Sequence, residues 1–136
     1  MTLEEEWAQL LDDLGLGTYR PDGGDIFIGA MPPTPDEAIV VTEYASGGEP
    51  NVRRPHDSVS IQFRVRGTRN PAASRARVDA LYSALHGWSG LLPGGTRVML
   101  AVAKTTPAGI GMDANGRHEH VLNLRAEIRR PTQHRV

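Results

Sequence analysis

The chain has 136 residues, 39% of them hydrophobic, with fifteen glycines, ten prolines and no cysteine. That length suits one globular domain burying roughly two thirds of its unfolded surface, and the absence of cysteine excludes disulfide and thiolate chemistry. Net charge is −1, but residues 1–50 hold eleven acidic side chains against one basic, Arg20, whereas residues 51–136 hold five acidic and fourteen basic. Such polarity favours head-to-tail contacts between copies, unless strands from the two halves interleave in one sheet and cancel it.

Thr2 and Glu5 have the spacing of a capping box, and Leu3, Trp7, Leu10, Leu11 and Leu14 make the apolar stripe of a first helix ending at Gly15. Glu4 to Glu6 complement the positive end of its dipole and are expected to be a solvated face. Pro21–Gly24 is turn chemistry, residues 25–30 form an extended run, and Met31-Pro-Pro-Thr-Pro35 predicts a surface loop because neither a helix nor a central strand accommodates it. Ala38–Tyr44 is β-branched and predicts a strand, followed by a Gly/Pro loop over Ser46–Arg54. Val59, Ile61, Phe63 and Val65 then alternate with Ser58, Ser60, Gln62, Arg64 and Arg66, a period of two that gives one core face and one polar face. These two strands are expected to pair as a long-looped hairpin.

After Gly67 the period changes. Asn70 is an N-cap candidate, Pro71 suits the first helical position, and Val78, Leu81, Tyr82 and Leu85 make the stripe of a second helix that Gly87 ends. Ala73, Ala76, Ala80 and Ala84 add a flank of small side chains where a partner backbone has room to approach. Arg97–Thr105 is apolar on both sides, which predicts a central strand covered on both faces. A small strand near Ile110 precedes Asn115-Gly116, which predicts a type I′ hairpin with positive φ at both central residues. The final strand turns Leu122, Leu124, Ala126 and Ile128 inward. The order α-β-β-β-α-β-β predicts a single α+β domain over residues 1–136, with two helices on a mostly antiparallel mixed sheet.

The longest apolar run, Val98–Ala103, is far short of the ~20 residues that span a bilayer, and the acidic start MTLEEEW is unlike a secretory leader, so a soluble, unprocessed chain is expected. Catalytic motifs are incomplete. Gly87-Trp-Ser89-Gly90 lacks the spacing of a nucleophile elbow, and Pro93-Gly-Gly-Thr96 lacks the lysine of a phosphate loop. His118 and His120 share one strand face without a local third ligand, and Asp113-x-Asn115-Gly116 lacks the later ligands of a calcium loop. No enzyme activity, metal or cofactor is expected. A basic cluster from Arg53 to Arg77 suggests phosphate tracking as the alternative function, but no aromatic interleaves it for base stacking, and a metal-dependent enzyme is a more distant alternative still.

Pro35-Asp36 with Ala38-Ile-Val-Val41, Glu43-Tyr44, Gly47-Gly48-Glu49-Pro50, Arg54-Pro55, Asp57, Ile61-Gln62, Val65-Arg66, Ala84-Leu-His-Gly87 and Asp113-Ala-Asn-Gly-Arg-His-Glu119 stand in an order and spacing that resembles the bacteriophage minor capsid, or tail terminator, family of long-tailed phages. His120 stands where that family is expected to carry an aromatic. The resemblance implies an α+β subunit that forms a ring, six-membered by family expectation, on the end of the tail tube. There it stops polymerisation and offers its other face to a head-completion (stopper) protein. The implied partners are further copies of itself, the tail tube protein and that stopper, at the head–tail junction of the virion after assembly in the host cytoplasm. No membrane is involved, and nucleic acid is met only as DNA passing through the ring. The matching positions taken as candidate subunit or partner contacts are Glu43, Tyr44, Gly47, Gly48, Arg53, Arg54, Asp57, Gln62, Arg64, Arg66, Asn115, Gly116, Arg117, His118 and Glu119. Reversal of Arg66 is expected to weaken association while sparing the fold.

Overall fold

The computed structural model describes residues 1–136, folded as two helices on one mixed sheet of seven strands. Helix α1 spans Leu3–Asp13; Thr2 Oγ1 accepts the Glu5 N–H and Glu5 accepts the Thr2 N–H, which completes the capping box. Leu14 falls outside the stripe as the helix C-cap and is 43% exposed, and Leu16 packs against the core in its stead. Strand β1 (Ile26–Ile28) pairs parallel with β2 (Ala38–Tyr44), and every other pairing is antiparallel. The long strand β3 (His56–Arg66) pairs with β2 on one side, as the hairpin reading expects, and with β7 (His118–Arg129) on the other. Helix α2 spans Pro71–Leu85, with the Asn70 side chain accepting the Ala72 N–H and Gly87 at φ +85° turning the chain out of the helix. A two-residue strand β4 (Gly90–Leu91), unforeseen in the sequence, precedes β5 (Arg97–Ala103) and β6 (Ala108–Met112). The main strand order is β1-β2-β3-β7-β5-β4, and β6 continues the line of β5 along the first half of β7.

Both helices lie on the same face of this sheet. Trp7, Leu10 and Leu11 of α1 and Val78, Leu81 and Leu85 of α2 share one core with Ile39, Val41, Val59, Ile61, Phe63, Val65, Leu122, Leu124 and Ile128. Trp7 is its hub, with edge contacts to Phe63 at 6.1 Å and to Trp88 at 6.0 Å between ring centroids. The opposite face carries no helix. That corrects the expectation for β5: only Val98 and Ala101 are buried, while a bulge between Val98 and Leu100 leaves Met99 40% and Leu100 45% exposed. An apolar strand needs two covers to be buried on both faces, and here the second layer is missing.

The hairpin between β6 and β7 also departs from the sequence reading. Gly116 N–H closes the turn onto the Asp113 carbonyl, Gly116 has φ +74°, and no non-glycine residue of the chain has positive φ. This is a type I turn followed by a left-handed glycine instead of a type I′ turn. The cause is Asp113, whose Oδ1 accepts the N–H groups of both Asn115 and Arg117 and so holds a wider loop. Gly116→Val is expected to lower stability by about 1–2 kcal/mol, the cost of a left-handed conformation for a β-branched residue; an unchanged urea midpoint would count against it.

Candidate functional site

Candidate contact residues fall into two groups at opposite ends of β3, about 33 Å apart for an 11-residue strand. The end formed by the His56 terminus of β3 holds Glu43, Tyr44, Gly47, Gly48, Arg53, Arg54 and Asp57. The other holds Arg64, Arg66, Asn115, Gly116, Arg117, His118 and Glu119, and Gln62 lies between them on the uncovered sheet face.

At the first end the loop between β2 and β3 overhangs the uncovered face, enclosing a groove of about 1000 Å3 lined by residues that include Tyr44, Gly47, Gly48, Asp57, Lys104 and Arg125. Tyr44 Oη donates to Asn123 Oδ1, Gln62 Nε2 donates to the same oxygen, and Lys104 Nζ donates to Tyr44 Oη at 3.1 Å. A cross-strand polar network thus ties β2, β3 and β7 together on the side facing solvent. Arg130 bonds Glu43, and Arg135, only 7% exposed, clamps both Asp57 oxygens at 2.7 and 3.0 Å while also donating to the Asn51 carbonyl. The C-terminal turn therefore fastens the overhanging loop.

Hydrogen bonding from Arg135 holds the Asp57 carboxyl below its ordinary range, against an opposing push from burial. A depressed folded value means that this contribution to stability is fully present above the unfolded carboxylate range, around pH 4, and is lost as pH falls through the lower folded value. Arg135→Ala is expected to flatten the stability profile below about pH 4 relative to the native chain; parallel profiles for the two proteins, followed by urea unfolding, would refute the clamp.

The second end is built differently. Arg66 is 3% exposed, and its guanidinium donates to the Pro35 carbonyl at 2.6 Å and the Asp36 carbonyl at 2.9 Å. Arg117, 9% exposed, bonds Asp113, Asp36 and the Pro33 carbonyl. The two arginines strap the proline-rich loop across the end of the sheet. Burial would raise the Asp113 carboxyl, but hydrogen bonds from Arg117 and Asn115 outweigh it and hold the group below its usual range. Glu119, 6% exposed, receives a bidentate pair from Arg64. Arg66, Arg117 and Glu119 are thus spent inside the subunit, which corrects their assignment as contact residues; Arg64, half-exposed, and the hairpin residues Asn115, Gly116 and His118 stay accessible. His120 is buried with Ser74 Oγ 2.8 Å from Nδ1, and burial, followed by the charge of Arg75, keeps its imidazole below its ordinary range. That imidazole packs α2 against β7.

The charge pattern is corrected by the same geometry. Acidic residues of the first half pair with basic residues of the second: Asp25 with Arg77, Asp36 with Arg117, Glu43 with Arg130. Glu6, expected in solvent, is 4% exposed and accepts the Thr96 hydroxyl at 2.6 Å and its N–H at 3.2 Å. Polarity along the chain is therefore offset in part within each copy. The Arg53–Arg77 cluster likewise disperses, because Arg64, Arg66, Arg75 and Arg77 have partners in the subunit and Arg53 and Arg69 lie beyond opposite ends of β3. Arg130 and Arg135 escaped the sequence reading, since nothing local ties them to Glu43 or Asp57.

A comparison with curated proteins returned no match. A family model described as the bacteriophage tail terminator protein matches residues 10–130, from within α1 to just past β7. With nearly the whole domain so matched, the chain belongs to the bacteriophage tail terminator family, whose members are structural components of the phage particle.

Proposed function

We propose that this protein caps the tail tube as a ring of identical subunits, six by family expectation, which stops tube growth and offers a surface for joining the head. Its partners are then further copies of itself, the tube protein at the end of the tail and a head-completion (stopper) protein, and it acts at the head–tail junction after assembly in the host cytoplasm. DNA meets it only in passing through the ring, and the role requires neither catalysis nor a cofactor. The observation that carries this reading is the family match over residues 10–130. Weak contacts between free copies are compatible with the role, because the tube end raises the local concentration of neighbours.

The test is removal of the protein during phage assembly, with tails examined by electron microscopy. Overlong tubes that fail to join heads are expected; tails of normal length joined to heads would refute the reading.

A further inference from the structure

Three basic side chains stand in one row across the uncovered face: His56 of β3 lies opposite Arg129 of β7, and Arg129 lies opposite Arg97 of β5. All three are exposed, and none takes part in an ion pair within the subunit. Glu127, the carboxylate in the neighbouring row, is engaged by Ser58 and Arg125. Like charges directly opposite each other across a sheet destabilise it. The row is left uncompensated within the subunit, so an anionic partner from outside is the natural complement.

The same chain carries that complement at its other end. There the exposed Glu37, which takes part in no ion pair, lines a polar groove of about 470 Å3 with Thr68, Asp25, which is held by Arg77, and Asp36, which is held by Arg117 yet keeps a side chain 70% exposed. The groove lies at the Arg66 end of β3 and the basic row at its His56 end, about 33 Å away, so the two cannot satisfy each other within one copy. We infer that the His56–Arg129–Arg97 row of one copy docks against the Asp36–Glu37 groove of the next, which makes this the head-to-tail contact that closes the ring. The inference rests on the ring reading above. A second copy suits the row better than nucleic acid does, since no aromatic residue stands in the row for base stacking and a net charge of −1 gives no long-range attraction to phosphate.

The experiment supplies variants in trans to a phage lacking the protein and counts tails of normal length joined to heads. R97E/R129E is expected to melt close to the native protein, because it exchanges one exposed like-charged pair for another, yet to lower joined tails by about tenfold or more through a misaligned contact. Adding Glu37→Arg to that variant restores the opposite charge and is expected to recover joining. Full joining by R97E/R129E overturns the inference, and so does a defect that Glu37→Arg fails to relieve. In the second case, loss of duplex DNA binding by R97E/R129E identifies phosphate as the occupant. The ring reading fails separately, when phage lacking the protein altogether still makes normal joined tails.

Discussion

Arg66→Glu is expected to unfold the domain at modest denaturant concentrations, costing about 4 kcal/mol out of the ~5–15 kcal/mol that holds a domain of this kind together. The reason is the environment and not the loss of one surface charge. The native guanidinium is buried and donates to two carbonyl oxygens of the proline-rich loop, at 2.6 and 2.9 Å. A carboxylate there has nothing to donate, faces those same oxygens and leaves both unsatisfied. Burial, followed by the charge of Arg117, already pushes the native guanidinium below its ordinary pKa, which is the mark of a group held in place against its own desolvation. Arg66→Met keeps the stem and removes the repulsion, so it is expected to cost less, about 2–3 kcal/mol. Urea unfolding followed by circular dichroism separates the cases: a midpoint for Arg66→Glu equal to that of the native protein would mean that the strap across the loop contributes nothing.

Trp7→Ala is expected to lower stability by about 4 kcal/mol, as large-to-small changes at fully buried aromatic positions do. Trp7 is wholly buried and forms edge contacts with Phe63 and Trp88, so removing its indole opens a cavity where α1, β3 and the exit of α2 meet. The same residue carries the one buried side-chain nitrogen without a hydrogen-bond partner, Nε1. An orphaned donor costs about 1–3 kcal/mol, so Trp7→Phe gives up packing area but also discards that penalty, and its net cost is expected to be only about 1 kcal/mol. A loss for Trp7→Phe as large as that for Trp7→Ala would show that the phenyl ring recovers none of the packing of the indole.

What was legible in the sequence is what neighbouring residues decide among themselves. Thr2 and Glu5 cap α1, Asn70 and Pro71 start α2, and the alternation from Ser58 to Arg66 separates a core face from a polar one, because capping and strand alternation act over at most a few residues. The family motifs were legible for the same reason, as short runs in a fixed order. Tertiary structure alone decided which strands became neighbours, and with that the fate of each charge. Arg66 has the same position in the alternation as Arg64, yet it is buried because the loop at Pro35 folds over its end of the sheet. Asp36 and Arg117 neutralise each other across 81 intervening steps of chain, whereas Arg97 and Arg129 are set side by side without a counter-charge. Periodicity assigns a side chain to a face; only packing decides what covers that face, since the covering groups come from distant sequence.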